Sequence, residues 1–263
     1  MKNARARIHE AGFTLAELLV SSVVFLLMAG AAFTLLSNSS QRFKTDSQVL
    51  SSFQEARLGI DQISRDIADA GYPPRNRFSA AAPATTLYTA APFAWMPNYP
   101  TPAACSVGVT CTTPTGFDLI IETDVDPQNN NGVEWVRYQL PAGTNTLLRG
   151  VIAKAGTNPV TTTDPALLPY IQNVMNNATA AQITSIRATY PNMFPGGNPV
   201  PMFTYTCDAP AGAQLACTGA NKPADIRDVD ITLIVQTFNR DTKTNALRMV
   251  ELHGLGHRVN PNQ

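Results

Sequence analysis

The feature that most constrains this chain is a stretch without any charged residue that covers residues 18–41. About 20 predominantly apolar residues suffice for a helix to cross the hydrocarbon core of a bilayer. We therefore expect one membrane-spanning helix at about residues 15–38. Three basic residues precede it: Lys2, Arg5 and Arg7. Because basic flanks stay on the cytoplasmic side of a membrane, the domain that follows the helix should lie outside the cytoplasm.

A cleaved secretory signal is the alternative interpretation of this stretch. The sequence AGAAF at residues 29–33 resembles the small-residue cleavage site of such signals. However, the apolar pattern continues without a break into an amphipathic helix. A disposable signal also has no use for Glu17, the sole charged residue of residues 12–36. A retained helix with one acidic residue is the better interpretation.

The residues around Glu17 resemble a known family. Residues 12–20 are GFTLAELLV, which resembles the type III signal of type IV prepilins. In that family a prepilin peptidase cuts after the glycine, here Gly12, and the new N-terminal residue, here Phe13, is methylated on its amine. The resemblance implies a leader at residues 1–12, a long helix at residues 13–71 and a β-rich periplasmic or extracellular domain at residues 72–263.

A second helical pattern follows the apolar stretch. Its apolar residues are spaced by four and three: Val49, Phe53, Ala56, Ile60, Ile63, Ile67 and Ala70. This spacing predicts a helix with one apolar face, which ends at Gly71 and the prolines after it. The charged residues fall outside that face and are expected in solvent: Arg57, Asp61, Arg65, Asp66 and Asp69. A coiled coil is the alternative, but only about three heptads are present and no flanking charge pattern accompanies them, so packing on the protein's own domain is favoured.

The rest of the chain has the patterns of a β-rich domain with long loops. Strands are predicted at residues 117–122, 133–140, 146–152, 183–190, 202–206, 229–238 and 246–252. A short helix is predicted at residues 166–176, and HGLGH at residues 253–257 is interpreted as a flexible tail because of its two glycines. We expect an α+β fold in which an antiparallel sheet covers the apolar face of the helix.

Four cysteines fall into two close pairs: Cys105 with Cys111, and Cys207 with Cys217. Disulfides are the usual state of cysteines outside the cytoplasm. Four cysteines allow three connectivities, and we favour the pairing of neighbours because each pair closes a short loop. Zinc is the weaker alternative, since the short C-x2-C spacing of structural zinc sites is absent.

Residues 124–134 form a weak calcium-site candidate. Oxygen-bearing side chains recur at alternate positions before a glutamate: Asp124, Asp126, Gln128, Asn130 and Glu134. An EF-hand loop counted from Asp124 would place Asn129 where the sharp turn requires Gly, so a plain polar turn is favoured. The histidines of HGLGH, His253 and His257, are a further metal candidate, but the two glycines argue against the helix that would place both on one face.

No motif in the sequence indicates catalysis. There is no G-x-S-x-G elbow, no Walker loop and no nucleophile with an accompanying histidine. Loss of the leader lowers the basic residues from 19 to 16 and the acidic residues from 19 to 18, so the mature chain has a net charge of about −2. No clustered basic surface for nucleic acid is evident. We therefore expect a structural subunit without a cofactor, not an enzyme.

The segment at residues 79–116 is rich in Ala, Pro and Thr and contains four aromatic residues: Tyr88, Phe93, Trp95 and Tyr99. Its length and composition predict a long irregular loop. The aromatic side chains would either contact a partner or fix the loop on the sheet, and the second interpretation is favoured.

A narrower resemblance lies beyond the N-terminal signal. Residues 52–74, SFQEARLGIDQISRDIADAGYPP, are similar to the minor pilins called PilW, as are the later motifs VRYQL, LLRG and DVDITL. The C-terminal HGLGHRVNP departs from that family's ending. The resemblance implies a minor pilin that primes or caps assembly of the type IV pilus, with possible roles in twitching motility and adhesion.

The same resemblance implies the partners and the location. The partners would be prepilin peptidase, other minor pilins, the major pilin, the inner-membrane assembly platform and a large tip adhesin. The protein would cross the inner membrane once, with its C-terminal domain in the periplasm, and then enter the pilus at the cell surface. Two alternatives remain: a J-type minor pseudopilin of a type II secretion system, and a pilus-tip adhesin subunit whose aromatic loop binds a surface.

Glu17 has a physical role in such an assembly. A carboxylate at the centre of a membrane-spanning helix costs about 2.5 to 3.5 kcal/mol on insertion scales. Cleavage after Gly12 creates a cationic amine on Phe13, at the positive end of the helix dipole. Pairing of Glu17 with the Phe13 amine of a neighbouring subunit would remove both penalties. An unpaired carboxylate that extends to the membrane surface is the alternative.

Overall fold

A computed structural model describes residues 13–78, 86–101, 105–128, 132–208, 214–241 and 245–260. In these ranges three α-helices occur: α1 (Leu15–Ala68), α2 (Pro159–Thr163) and α3 (Ala180–Arg187). The strands of the same ranges are β1 (Asp118–Thr123), β2 (Glu134–Gln139), β3 (Thr146–Ala153), β4 (Leu168–Gln172), β5 (Phe203–Asp208), β6 (Gln214–Ala216), β7 (Ile226–Gln236) and β8 (Met249–His257). The protein is therefore α+β, with a long N-terminal helix before a domain of antiparallel strands.

The chain divides into two compact units. The first is Met1–Ser47 and the second is Gln48–Gln263. The boundary falls within α1, so the helical residues after Ser47 belong to the same unit as all eight described strands. The domain is thus built with the part of the helix after Ser47 as one of its own elements.

The strands form two antiparallel sheets instead of the single sheet that we expected. The first sheet has the order β1-β2-β3-β4 and the second has the order β6-β5-β7-β8. The sheets adjoin where Val174, just after β4, forms a bridge with Val235 of β7. The hairpin predicted from residues 133–152 is confirmed as β2 and β3, and the hairpin from residues 229–252 as β7 and β8.

The apolar face of α1 lies at the centre of the core. Ala56, Ile63 and Ile67 are fully buried, in one cluster with side chains from both sheets. The earliest members of the pattern, Val49 and Phe53, are only partly buried. The predicted packing of this helical face on the protein's own domain is therefore confirmed.

Two predicted elements are wrong: a predicted helix is a strand in the structure, and a predicted strand is a helix. Residues 166–176 were expected to contain a short helix, but Leu168–Gln172 is a strand with Pro169 at its second position. Residues 183–190 were expected to form a strand, but they lie mostly in α3. That helix has a capping box, in which the side chains of Thr179 and Gln182 each hydrogen-bond the backbone of the other residue. This helix-start signal outweighs the preference of the β-branched residues in the segment for a strand.

The expected flexible tail is also wrong, since HGLGH forms the end of β8. A Cβ atom on Gly254 would lie 2.2 Å from Ile60, and one on Gly256 would lie 2.6 Å from Ile67. The glycines are present because α1 lies directly on the strand at these positions. Their role is to allow close packing, not to loosen the chain.

Asp66 was expected in solvent and is instead buried. Its carboxylate accepts hydrogen bonds from the Tyr138 hydroxyl at 2.5 Å, from Arg149 Nη2 at 2.9 Å and from Gln62 Nε2 at 2.7 Å. A buried carboxylate is tolerated when it is paired and hydrogen-bonded in this way. Asp66 therefore connects α1 to β2 and β3.

Candidate functional site

The N-terminal part of α1 exposes its apolar side chains in every direction. Its most apolar 18 residues have a mean hydropathy of 2.3, and none of them is buried in the described structure. Phe25 and Leu26, which point in different directions around the helix, are 69% and 67% exposed. In length and composition the helix can cross a membrane, and its exposed apolar surface is consistent with a membrane anchor.

The start of α1 is fixed by Thr14 and Glu17. The Thr14 backbone N–H and the Thr14 hydroxyl both donate to Glu17 Oε2 at 2.9 Å, and the Glu17 N–H donates to Thr14 Oγ1 at 3.3 Å. This is a capping box, which satisfies N–H groups that the first turn of a helix leaves unpaired. The pattern T-x-x-E before an apolar run is the sequence signal from which this cap could have been predicted.

The residues of the predicted processing site lie beside this cap. Phe13 precedes the helix and is 80% exposed, while Gly12 lies outside the described residues. Glu17, Val20, Val24 and Met28 line a shallow groove along one side of the helix. The carboxylate is thus placed at the end of an exposed apolar groove, four residues after the residue that cleavage would expose.

The cysteines form two disulfides between sequence neighbours. One joins Cys105 to Cys111, and the other joins Cys207 to Cys217. The second disulfide tethers β5 to the residue after β6. This is the pairing that the sequence favoured, and both bonds belong to the strand-containing unit.

The calcium hypothesis gains no support from the described residues. Glu134 accepts a hydrogen bond from the Val125 N–H at 2.8 Å and so closes the turn itself. Asn130 lies outside the described residues. In the parts of the chain that the structure describes, no group of three or more His, Cys, Asp or Glu side chains is arranged to hold a metal ion.

The two histidines of β8 lie on the solvent face of the second sheet. His257 is hydrogen-bonded to Asp228 of β7, and His253 Nδ1 lies 3.2 Å from the Thr232 hydroxyl. Both are cross-strand neighbours of their partners in the β7–β8 ladder. These contacts are those of a regular antiparallel pair.

The aromatic residues of the long loop are buried. Tyr88, Phe93, Trp95 and Tyr99 are all less than 5% exposed, and Tyr99 packs edge-on against Trp135 of β2 with ring centroids 5.6 Å apart. They fix the loop on the first sheet, as favoured above. An adhesive surface made of these four side chains is therefore excluded.

Under this loop lies an ion pair that the sequence did not reveal. Lys154 Nζ and Glu122 Oε2 are 3.1 Å apart, and neither side chain is exposed. Lys154 also donates to the Tyr88 carbonyl, and the Ala90 N–H donates to Glu122. Burial and the charge of Glu122 raise the pKa of the Tyr99 hydroxyl, so this hydroxyl stays protonated. The cluster therefore secures the loop on the first sheet.

Comparison with protein families gives a match to the N-terminal part of the chain. Residues 7–33 match the family described as "Prokaryotic N-terminal methylation motif". The match supports a type IV pilin-like protein. It also implies processing by prepilin peptidase and assembly with pilus components, and it is consistent with anchoring in a membrane through α1. No curated protein and no solved structure matches the chain.

Proposed function

We propose that this protein is a minor pilin of the PilW type, a structural subunit that primes or caps assembly of the type IV pilus. The observation that carries the proposal is the methylation motif at residues 7–33, which overlaps the N-terminal part of α1, where the apolar side chains are exposed on all sides. Such a helix needs lipid before assembly and other helices after it.

The proposal gives Glu17 two roles. Both hydrogen bonds from Thr14 end on Oε2, so Oε1 can accept from the Phe13 amine of a neighbouring subunit without loss of the cap. Pairing of the two charges would offset the cost of placing each one in an apolar environment. The same contact would set the axial offset between neighbouring subunits.

The processing step is tested by Gly12→Ala in cells that contain prepilin peptidase. We expect this variant to accumulate with its leader attached, and the wild type to run as the shorter mature chain on a gel. Mass spectrometry of the mature chain should find methylated Phe13 at its N-terminus. A mature-sized band from Gly12→Ala would refute cleavage at this position.

The assembly role of Glu17 is tested with two substitutions that separate its charge from its cap. Glutamine also closes a capping box, so Glu17→Gln keeps the bond to Thr14 and removes only the charge, whereas Glu17→Ala removes both. We expect normal processing of both variants and loss of both from sheared pili. Recovery of Glu17→Gln at the wild-type level would show that the cap matters and the charge pair does not.

Two related functions share the N-terminal site, and the location of the protein distinguishes them from the proposal. A J-type pseudopilin would be required for type II secretion and absent from sheared pili. A tip adhesin would be dispensable for pilus number and required for attachment. The burial of the loop aromatics favours the assembly role over adhesion through that loop.

A further inference from the structure

The two sheets have four outer edges, and the described structure protects three of them. The outer edge of β1 is covered by the preceding loop, since the Ala94 N–H donates to the Ile120 carbonyl and the Glu122 N–H donates to the Pro92 carbonyl. β6 is only three residues long and lies beside a disulfide. Short, covered or interrupted edges are the usual means by which proteins prevent unwanted strand addition.

The edge of β4 is protected in a different way. Pro169 occupies its second position, and the register to β3 shifts between Leu147 and Leu148. The Gln172 N–H is satisfied by Glu55 Oε1 of α1 at 3.4 Å. A proline and a bulge both block the regular addition of another strand.

The edge of β8 has none of these protections within the described residues. It pairs with β7 over nine consecutive residues without a register shift, and it contains neither proline nor lysine. Two backbone hydrogen bonds lie just beyond the ends of the ladder: the Thr237 N–H donates to the Arg248 carbonyl, and the Arg258 N–H donates to the Arg227 carbonyl. They show which residues of β8 direct their backbone groups toward β7. Even-numbered residues of β8 bond to β7, because bonded and non-bonded pairs alternate. The N–H and C=O groups of its odd-numbered residues therefore point away from β7: Met249, Glu251, His253, Leu255 and His257.

From this edge we infer that β8 is a docking site for an extended segment of a different pilus subunit, which adds as a fifth strand to the second sheet. A row of outward N–H and C=O groups in strand geometry is complemented by another strand. The side chains beside the edge define the segment further. Leu255 is 57% exposed and Glu251 is an exposed acid, so the segment should place an apolar residue beside Leu255 and a basic residue beside Glu251.

A second copy of this chain fits the edge less well. Two identical strands would pair antiparallel about a two-fold axis normal to the sheet. The Gln48–Ala68 part of α1 runs along this sheet, because Ile60 packs on Gly254 and Ile67 on Gly256. Such an axis would reverse the direction of this helix between the copies, whereas both copies enter one membrane through residues that precede Gln48. The choice of a different pilus subunit rests on the proposed function, and the test below does not require pili to form.

The test is site-specific cross-linking in intact cells with a benzophenone amino acid placed at residue 251, 253 or 255 of the full chain. We expect all three positions to capture one segment of one other subunit, at partner residues that advance in steps of two. That register is the signature of strand pairing. The matched control is a probe at Leu168, which is 67% exposed on the protected edge of β4 and should capture nothing in register. Scattered partner residues would overturn strand addition, and capture of this same chain would overturn the choice of a different subunit.

A backbone substitution separates strand addition from side-chain contact. Leu255→Pro removes an outward N–H that β7 does not use, whereas Leu255→Thr changes the side chain and keeps the N–H. We expect the proline variant to lower the cross-linking yield from residue 253 about tenfold, and the threonine variant, which loses only part of the apolar contact, to lower it by a clearly smaller factor. Equal yields from the two variants would contradict the proposal.

If the proline variant fails to fold, amide hydrogen exchange of the wild-type chain decides: the odd-numbered amides of β8 should exchange quickly in detergent and slowly in cell envelopes. A wild-type chain that is missing from pili but still cross-links in register would refute the pilus assignment alone.

Discussion

The two parts of α1 differ in what covers them. Before Ser47 the apolar side chains are exposed around the whole circumference, whereas after it one apolar face is buried by two sheets and only Leu50 and Leu58 remain among the exposed large apolar residues. A helix that is apolar all round requires an apolar environment, and an amphipathic helix requires one covering surface. The comparison shows that the domain completes its own core with the second part and leaves the first part for partners outside the chain.

The largest difference between the two parts should appear when a large apolar side chain is truncated. Ile63→Ala leaves a cavity in the core and should lower the free energy of unfolding by about 2–5 kcal/mol. Leu26→Ala, the matched change in the exposed part, should change it by less than about 0.5 kcal/mol. Both are measured by denaturant unfolding of the full chain in detergent, followed by fluorescence of Trp95 and Trp135, which are buried in the domain. Equal effects of the two substitutions would contradict the division of the helix.

A smaller effect should distinguish two aspartates within the amphipathic part. Asp66→Ala leaves the Tyr138 hydroxyl and the half-buried Arg149 without their shared acceptor, and should cost about 2–3 kcal/mol. Asp61→Ala, on the exposed side, should cost less than about 0.5 kcal/mol. The fluorescence measurement described above applies to both. A near-neutral Asp66→Ala would show that the contact with β2 and β3 adds no net stability.

The same two aspartates show what a sequence can and cannot predict here. The three- and four-residue spacing correctly located the buried face, because burial of apolar area dominates helix orientation. It misplaced Asp66, since the partners of Asp66 come from β2 and β3, more than 70 residues away in the chain. Spacing along one element contains no information about such partners.

Two further features were not predicted from the sequence: the role of the glycines in HGLGH and the helix cap formed by Thr14 and Glu17. The two glycines of HGLGH led to the prediction of a flexible tail. In the structure they are required because α1 approaches β8 so closely that no Cβ fits at Gly254. At the N-terminal site, Phe13 and Glu17 lie within the family match at residues 7–33, and their roles in processing and assembly stay predictions. It did not indicate that Glu17 also caps its own helix, although Thr14 three residues earlier is the ordinary signal for such a cap.

The smallest predicted effect concerns the end of the amphipathic part and depends on pH. Burial, together with the charge of Asp66, raises the pKa of Asp69 above its ordinary value of 3.8. The folded state therefore favours the protonated carboxyl, and this contribution to stability is complete below pH 3.8 and is lost as the pH rises through the higher folded pKa. Asp69→Asn is neutral at every pH, so it should stabilise the protein at pH 7, by less than about 0.5 kcal/mol because the side chain is largely exposed.

The pH dependence separates this electrostatic cause from a change in helix propensity. At pH 3 the Asp69→Asn variant and the wild type should have the same thermal midpoint, because both side chains are then uncharged. Asp61→Asn is the control, since Asp61 lies on the exposed side of the helix, where Arg65 is four residues ahead, and it should give no gain at pH 7. A gain from Asp69→Asn that persists unchanged at pH 3 would assign the effect to propensity or packing and remove the carboxylate charge as its cause.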